Sequence, residues 1–129
     1  MTRGRLQVHA ILWVLQIVLA LYFGSIGVMH FVVPPGLPAP MGWMYELPPW
    51  LHWISGGAEI LAALGLVLPG VTRIQPRLTA LAAAGLVLVM AGAAVWHIGR
   101  GEVASLFMNA VLAVVCGFVA YGRWRLRPL

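Results

Sequence analysis

The chain contains no lysine, only three acidic residues and a single cysteine among its 129 residues, and charged side chains make up 9% of it. Each scarcity excludes something. A soluble domain ordinarily carries about a quarter charged residues, so this chain lacks the material for a hydrated shell. The lone Cys116 lies inside an apolar run, where it can form neither an internal disulfide nor a paired-thiol redox motif; it reads as a small hydrophobe. No Gly-x-Gly-x-x-Gly motif follows a strand-like run, so nothing here binds a flavin or nicotinamide. The eight arginines give a net charge of +5, but they sit in short clusters between apolar runs, not along one face. Nucleic acid is therefore not an expected partner, whereas anionic membrane lipid is.

Apolar residues are what the chain has in excess: 62% of it is hydrophobic and the mean hydropathy is +0.95. Four apolar stretches fall at about 6–33, 51–68, 78–98 and 103–121. Each is near the roughly 20 residues that an α-helix needs to cross about 30 Å of hydrocarbon. The expected fold is all-α, a transmembrane four-helix bundle forming one membrane domain over residues 1–129. Arg3 and Arg5 precede the first run as in a secretory signal. That run is too long, however, and no small-residue cleavage site follows it, so it reads as a retained span.

Arginine placement orients the chain. With four spans, Arg3, Arg5, Arg73, Arg77, Arg123, Arg125 and Arg127 share one side, and only Arg100 lies on the other, beside Glu46 and Glu102. The positive-inside bias puts both termini in the cytoplasm. The expected location is the cell membrane, crossed several times, as in a bacterial plasma membrane.

The outer connections differ. Residues 34–50 carry six of the nine prolines, with Trp43, Tyr45 and Trp50 and then Trp53. Proline opposes a regular helix, while Trp and Tyr favour the headgroup layer. The segment is expected to fold over the outer end of the bundle, as an interfacial anchor in preference to a functional lid. The second connection, Gly99 to Glu102, reads as a tight turn. Small residues at Gly24, Gly27, Gly56, Gly57, Ala58, Ala62, Ala80, Ala84 and Ala91 to Ala94 favour close helix packing, and that surface is compatible with a homodimer.

Ionisable groups inside a span cost about 2.5–3.5 kcal/mol at a helix centre and demand a reason. Glu59 is the sharpest case, about 12 Å along the second helix at ~1.5 Å per residue. His52, Ser55 and Glu59 share one face of that helix by their i, i+3, i+7 spacing, and Glu102, Ser105 and Asn109 repeat the spacing on the fourth. The first and third helices each end near the same surface with a histidine, His30 and His97. A weak parallel repeat of the two halves is one reading of this match. A polar pocket in the outer half, formed by His30, His52, Ser55, Glu59, His97, Glu102, Ser105 and Asn109, is the expectation that matters. The inner half contributes little beyond Gln16 and Thr79.

His30 and His97 are the residue type that ligates haem, and with Glu59 and Glu102 they supply the donor types of a zinc site. Neither cofactor is the expectation. A lipophilic molecule with polar oxygens suits the pocket better. A quinone head group needs donors at its carbonyls and proton exchange on reduction, roles open to histidine and a buried glutamate.

The run Ser55 to Leu66 (SGGAEILAALGL) resembles the second-helix signature of the DoxX-like family of small membrane proteins. Ala91 to His97, then Asn109, then Tyr121 to Arg123, are similar to that family's third and fourth helices, so the resemblance covers about residues 20–125. Family members often carry lysine near the end of the first helix, where this chain has His30. The resemblance implies a four-helix membrane bundle and a link to quinone-coupled oxidation, as in subunits of quinol oxidase and thiosulfate–quinone oxidoreductase. Others in the family are linked to oxidative-stress resistance, and distant relatives to assembly of membrane receptors.

The fold transfers better than the function. Whether the chain is itself an enzyme stays open. One reading is a quinone-associated subunit with a partner redox subunit that supplies electrons. The alternative is a non-enzymatic chaperone or assembly factor whose polar cluster is structural. A transporter or an enzyme for another lipophilic substrate is a third, disfavoured by the expected empty inner half.

Overall fold

The structure, a computed structural model describing residues 2–129, is all-helical, with no strand among the described residues. Four long helices run Arg3–Phe31 (α1), Pro49–Thr72 (α2), Leu78–Arg100 (α3) and Val103–Tyr121 (α4). All four are long and apolar enough to cross a membrane, the last continuing through a π-helical turn at Gly122–Leu126. The helices outlast the hydropathy signal at several ends. α2 starts on Pro49, whose missing N–H costs nothing at a helix start, and runs through Pro69 to Thr72. It stops at Arg73, which adopts the left-handed conformation (φ 59°), as Gly101 (φ 68°) does after α3.

Successive helices are antiparallel neighbours: α1 packs along α2, α2 along α3 and α3 along α4, while α1 and α4 meet more sparsely. Small residues set these distances. At the α1–α2 crossing a Cβ on Gly56 would stand 2.7 Å from His30 Cβ and 2.9 Å from the Gly27 carbonyl oxygen, so the backbones themselves touch. A Cβ on Gly65 would stand 2.8 Å from Ala82 Cβ, which closes α2 on α3 in the inner half. Gly122 lies under Leu12, joining α4 to α1 at the inner end. In a medium that gives helices no hydrophobic reason to associate, such close approach is what holds them together.

The central core is apolar: Leu12, Leu19, Phe23, Leu66, Ala83, Leu86, Cys116 and Val119 are buried. Cys116 therefore serves as the small hydrophobe expected of it. The outward faces are equally greasy, with Leu61, Leu88, Val103 and Val114 all more than two-thirds exposed. This inversion suits lipid as the solvent.

The Pro-rich connection is not irregular throughout: Ala39–Tyr45 forms a 3-10 helix. Prolines at its start fix φ and lack only donors that a helix start leaves free. Tyr45 staples the loop by donating to the Pro34 carbonyl (2.7 Å) and accepting from Leu37 N–H (2.9 Å). Met44 on the same turn is fully buried.

The inner half is less empty than its composition suggests. Arg123, read as a cytoplasmic charge beyond the fourth span, is only 3% exposed. Its Nε donates to Gln16 Oε1 (2.5 Å), and its Nη1 reaches His9 Nδ1 (3.1 Å) and the Arg127 carbonyl (3.0 Å). Gln16 in turn donates to the Leu66 carbonyl (2.6 Å), one residue past the Gly65 carbonyl that Pro69 leaves without its helical donor. The π-helical turn at Gly122–Leu126 folds Arg123 back into the bundle, which a straight reading of the sequence did not anticipate.

Candidate functional site

A cavity of about 410 Å³ occupies the outer half of the bundle. Its floor is apolar, with Phe23, Met90 and Leu112, and its roof is Trp43 and Leu47 from the Pro-rich segment. α2 and α3, in contact at Gly65 and Ala82, both contribute wall residues farther out: Leu51, Ile54 and Ala58 from one, Val89, Ala93 and Trp96 from the other. Ile54 and Val95 line the cavity yet are 62% and 71% exposed, so it reaches the lipid-facing surface along this seam.

Five of the eight residues expected at a pocket line this one: His30, Ser55, Glu59, His97 and Asn109. All four helices contribute. His52 stands behind His30 instead, the two Nδ1 atoms 2.9 Å apart. Glu102 sits at the turn before α4, where its Oε1 accepts from His97 Nδ1 (3.2 Å) and Arg100 Nε (2.9 Å). Ser105 is not on the cavity wall. The i, i+3, i+7 stripe on α4 therefore reaches the cavity only at Asn109, because Glu102 precedes the helix and its side chain turns to α3.

Glu59 is 4% exposed. Its Oε2 lies 3.5 Å from His30 Nε2, close enough to interact electrostatically but without a hydrogen bond. One arrangement consistent with these distances has His30 Nε2–H directed to the carboxyl, His30 Nδ1 accepting and His52 Nδ1–H donating. A carboxyl group, two imidazoles and their protons thus form a short chain from the α2 flank into the cavity. On the opposite wall, His97 donates from Nδ1 to Glu102, which leaves its Nε2 outside that bond.

Two more polar groups on the cavity wall are orphaned. Asn109 Nδ2 and Trp96 Nε1 are buried donors with no partner, and Glu59 Oε2 has no hydrogen bond. Buried polar atoms are normally satisfied, and each orphan costs about 1–3 kcal/mol. These atoms cluster around one cavity.

The roof is pinned from outside. Trp43 packs edge-on to His97 (5.4 Å between ring centres) and tilted over His30 (5.9 Å). Arg100 bridges Glu46 at the end of the 3-10 helix and Glu102 at the α3–α4 turn, and its guanidinium lies 5.5 Å from the Trp96 ring. Burial pushes the Glu102 carboxyl up, but its hydrogen bonds from His97 and Arg100 outweigh that and hold it below the usual carboxylate range. Trp43 comes from the Pro/Trp segment expected over the outer end of the bundle, whereas Trp96 is a wall residue that sequence reasoning left out of the site, its neighbour His97 being the available signal.

A bundle of four apolar spans with a polar-lined cavity in its outer half defines a small multi-pass membrane protein. A family model described as the DoxX-like family matches residues 14–119, most of the chain, and the protein belongs to that family. No curated protein and no solved structure matches it.

Proposed function

We propose that the outer cavity binds a lipophilic molecule bearing carbonyl-type oxygens, with a quinone head group as the best-fitting class, and that the protein serves as a quinone-associated membrane subunit. The supporting observation is the set of orphaned polar atoms on an otherwise greasy wall. Asn109 Nδ2 and Trp96 Nε1 are donors awaiting acceptors, and Glu59 lines the same cavity. A ring with oxygens at its edge meets those donors, while Phe23, Trp43 and Met90 accept its faces. The cavity volume lies within the usual range for small-molecule sites.

A membrane-dissolved ligand reaches such a site from lipid, along the α2–α3 seam at Ile54 and Val95. When bound, a quinone would supply the electron-accepting chemistry; the protein would supply orientation and a proton path through Glu59, His30 and His52. Electrons would come from a partner redox subunit. The arginine bias supports a reading with the termini in the cytoplasm and the cavity in the outer leaflet of a bacterial plasma membrane.

One observation favours the second reading, a non-enzymatic assembly factor. The pairing of His30 with His52, and the approach of His30 to Glu59, cross-link α1 and α2 and give the cluster a structural use. The test is mass spectrometry of lipophilic molecules extracted from gently purified protein, wild type beside Glu59→Leu. Enrichment of a quinone in the wild type and its loss in the variant support ligand binding. Well-folded wild type without enrichment moves the weight to the assembly reading.

A further inference from the structure

The opposite end of the bundle holds a second cavity, of about 500 Å³, bounded by His9, Trp13, Gly70, Arg73 and Pro76 and by the end of the chain at Pro128 and Leu129. The charge of its side chains is one-sided. Arg123 contacts two of its wall residues, His9 through Nη1 and Trp13 through the ring face 5.5 Å away. Arg73 lies on the rim, and Arg127 folds across the same end, its Nε donating to the Arg5 carbonyl. All three acidic side chains of the protein, Glu46, Glu59 and Glu102, belong to the outer half, so no carboxylate side chain answers these cations.

The cationic end is also under-satisfied. Arg123 is 97% buried, as its 3% exposure implies, yet its Nη2 has no partner; Arg127 Nη2 is likewise buried and unpaired. The partners Arg123 does have are a neutral amide, a histidine and a carbonyl, none of them anionic. A buried guanidinium without a counter-charge is costly, and charge-assisted pairing to phosphate is the interaction its planar fork makes best. Gly70 keeps the site open: a Cβ there would meet the Trp13 ring at 2.7 Å and push it from its place on the wall.

We infer that this inner cavity is a phosphate-binding site, in which Arg73 on the wall meets a phosphate oxyanion and Arg123, behind His9 and Trp13, supplies the uncompensated positive charge that draws it. The site stands apart from the outer cavity and does not depend on what that cavity binds. Phosphate of this kind has two sources, the headgroup of an anionic phospholipid and free phosphate in the cytoplasm.

Native mass spectrometry and thermal unfolding of purified protein separate them. One arm adds phosphatidylglycerol against phosphatidylcholine in mixed micelles; the other adds inorganic phosphate against chloride at matched ionic strength. The expected result is retention of phosphatidylglycerol and a rise in unfolding temperature, with apparent affinity at least about tenfold weaker in Arg73→Gln. A comparable loss is expected for Gly70→Leu, which removes no charge but displaces Trp13 and Leu129 from the cavity wall. Arg125→Gln, on the same side but off the cavity wall, should bind as wild type. Stabilisation by inorganic phosphate and not by the lipid assigns the site to free phosphate. The inference is overturned if neither phosphate source binds better than its control, or if Arg73→Gln and Arg125→Gln weaken binding equally, since diffuse surface charge then accounts for it.

Discussion

His30 Nε2 stands 3.5 Å from Glu59 Oε2, with both side chains about 95% or more buried, and this approach joins α1 to α2 within the outer cavity. It sits one helical turn from the place where the two backbones touch at Gly27 and Gly56, so helix packing sets the separation of the two groups. Glu59→Gln keeps the size and a hydrogen-bonding amide but cannot carry a proton. The variant should unfold within a few degrees of wild type, and about 1 kcal/mol of lost interaction is the scale expected. On the proposed quinone reading, turnover with a redox partner should fall at least about tenfold. An active Gln variant would sink the proton role and leave the carboxyl as a hydrogen-bonding group only.

Gly56→Ala should destabilise the bundle by about 1–3 kcal/mol, because the added methyl meets both His30 and the Gly27 carbonyl. Gly57→Ala, one residue along, has open space around it and should be neutral or stabilising by up to about 1 kcal/mol. Thermal unfolding in detergent compares the two. Equal effects would mean that the α1–α2 contact is not tight.

Arg100→Gln removes the bridge between Glu46 and Glu102 that holds the roof segment to the α3–α4 turn. Both partners are partly exposed, so the stability loss should stay below about 1 kcal/mol. The roof should loosen nonetheless. Trp43 packs on both cavity histidines, and its fluorescence should report this in a background where the other tryptophans are replaced by phenylalanine. Unchanged Trp43 emission would show that packing alone keeps the roof closed.

Glu102 supplies a pH dependence of defined sign. Its carboxyl titrates below the usual range in the folded protein, so it favours folding at neutral pH. That contribution disappears as pH falls through the lowered folded value. Acid should therefore destabilise the wild type slightly more than Glu102→Gln, with the difference appearing only below the ordinary carboxylate range. A variant with an unchanged acid profile would show that the His97 and Arg100 hydrogen bonds add nothing.

Gln16→Leu should cost about 1–3 kcal/mol, since it strips Arg123 Nε of its acceptor and leaves the Leu66 carbonyl without its extra donor. Gln16→Glu gives the guanidinium a counter-charge and should retain more of the stability. If the two variants unfold alike, the inner cluster is not holding the bundle end.

The amino-acid sequence by itself determined the four spans, the sorting of arginines to one end and the presence of a carboxyl deep in the second helix. These follow from the length of apolar runs and from the cost of charge in hydrocarbon, which local composition reports directly. It also placed His30, Ser55, Glu59, His97 and Asn109 in the outer half of the bundle, because helical rise converts residue number into depth. Only the tertiary structure decided which of them share a cavity, that His52 backs His30, that Glu102 turns to Arg100, and that Arg123 folds inward to Gln16. The reason is rotational. In a membrane helix the lipid-facing and core-facing sides are both apolar, so periodicity does not say which way a side chain points. That direction was settled by where glycines let backbones meet, at Gly27 with Gly56 and at Gly65 beside Ala82.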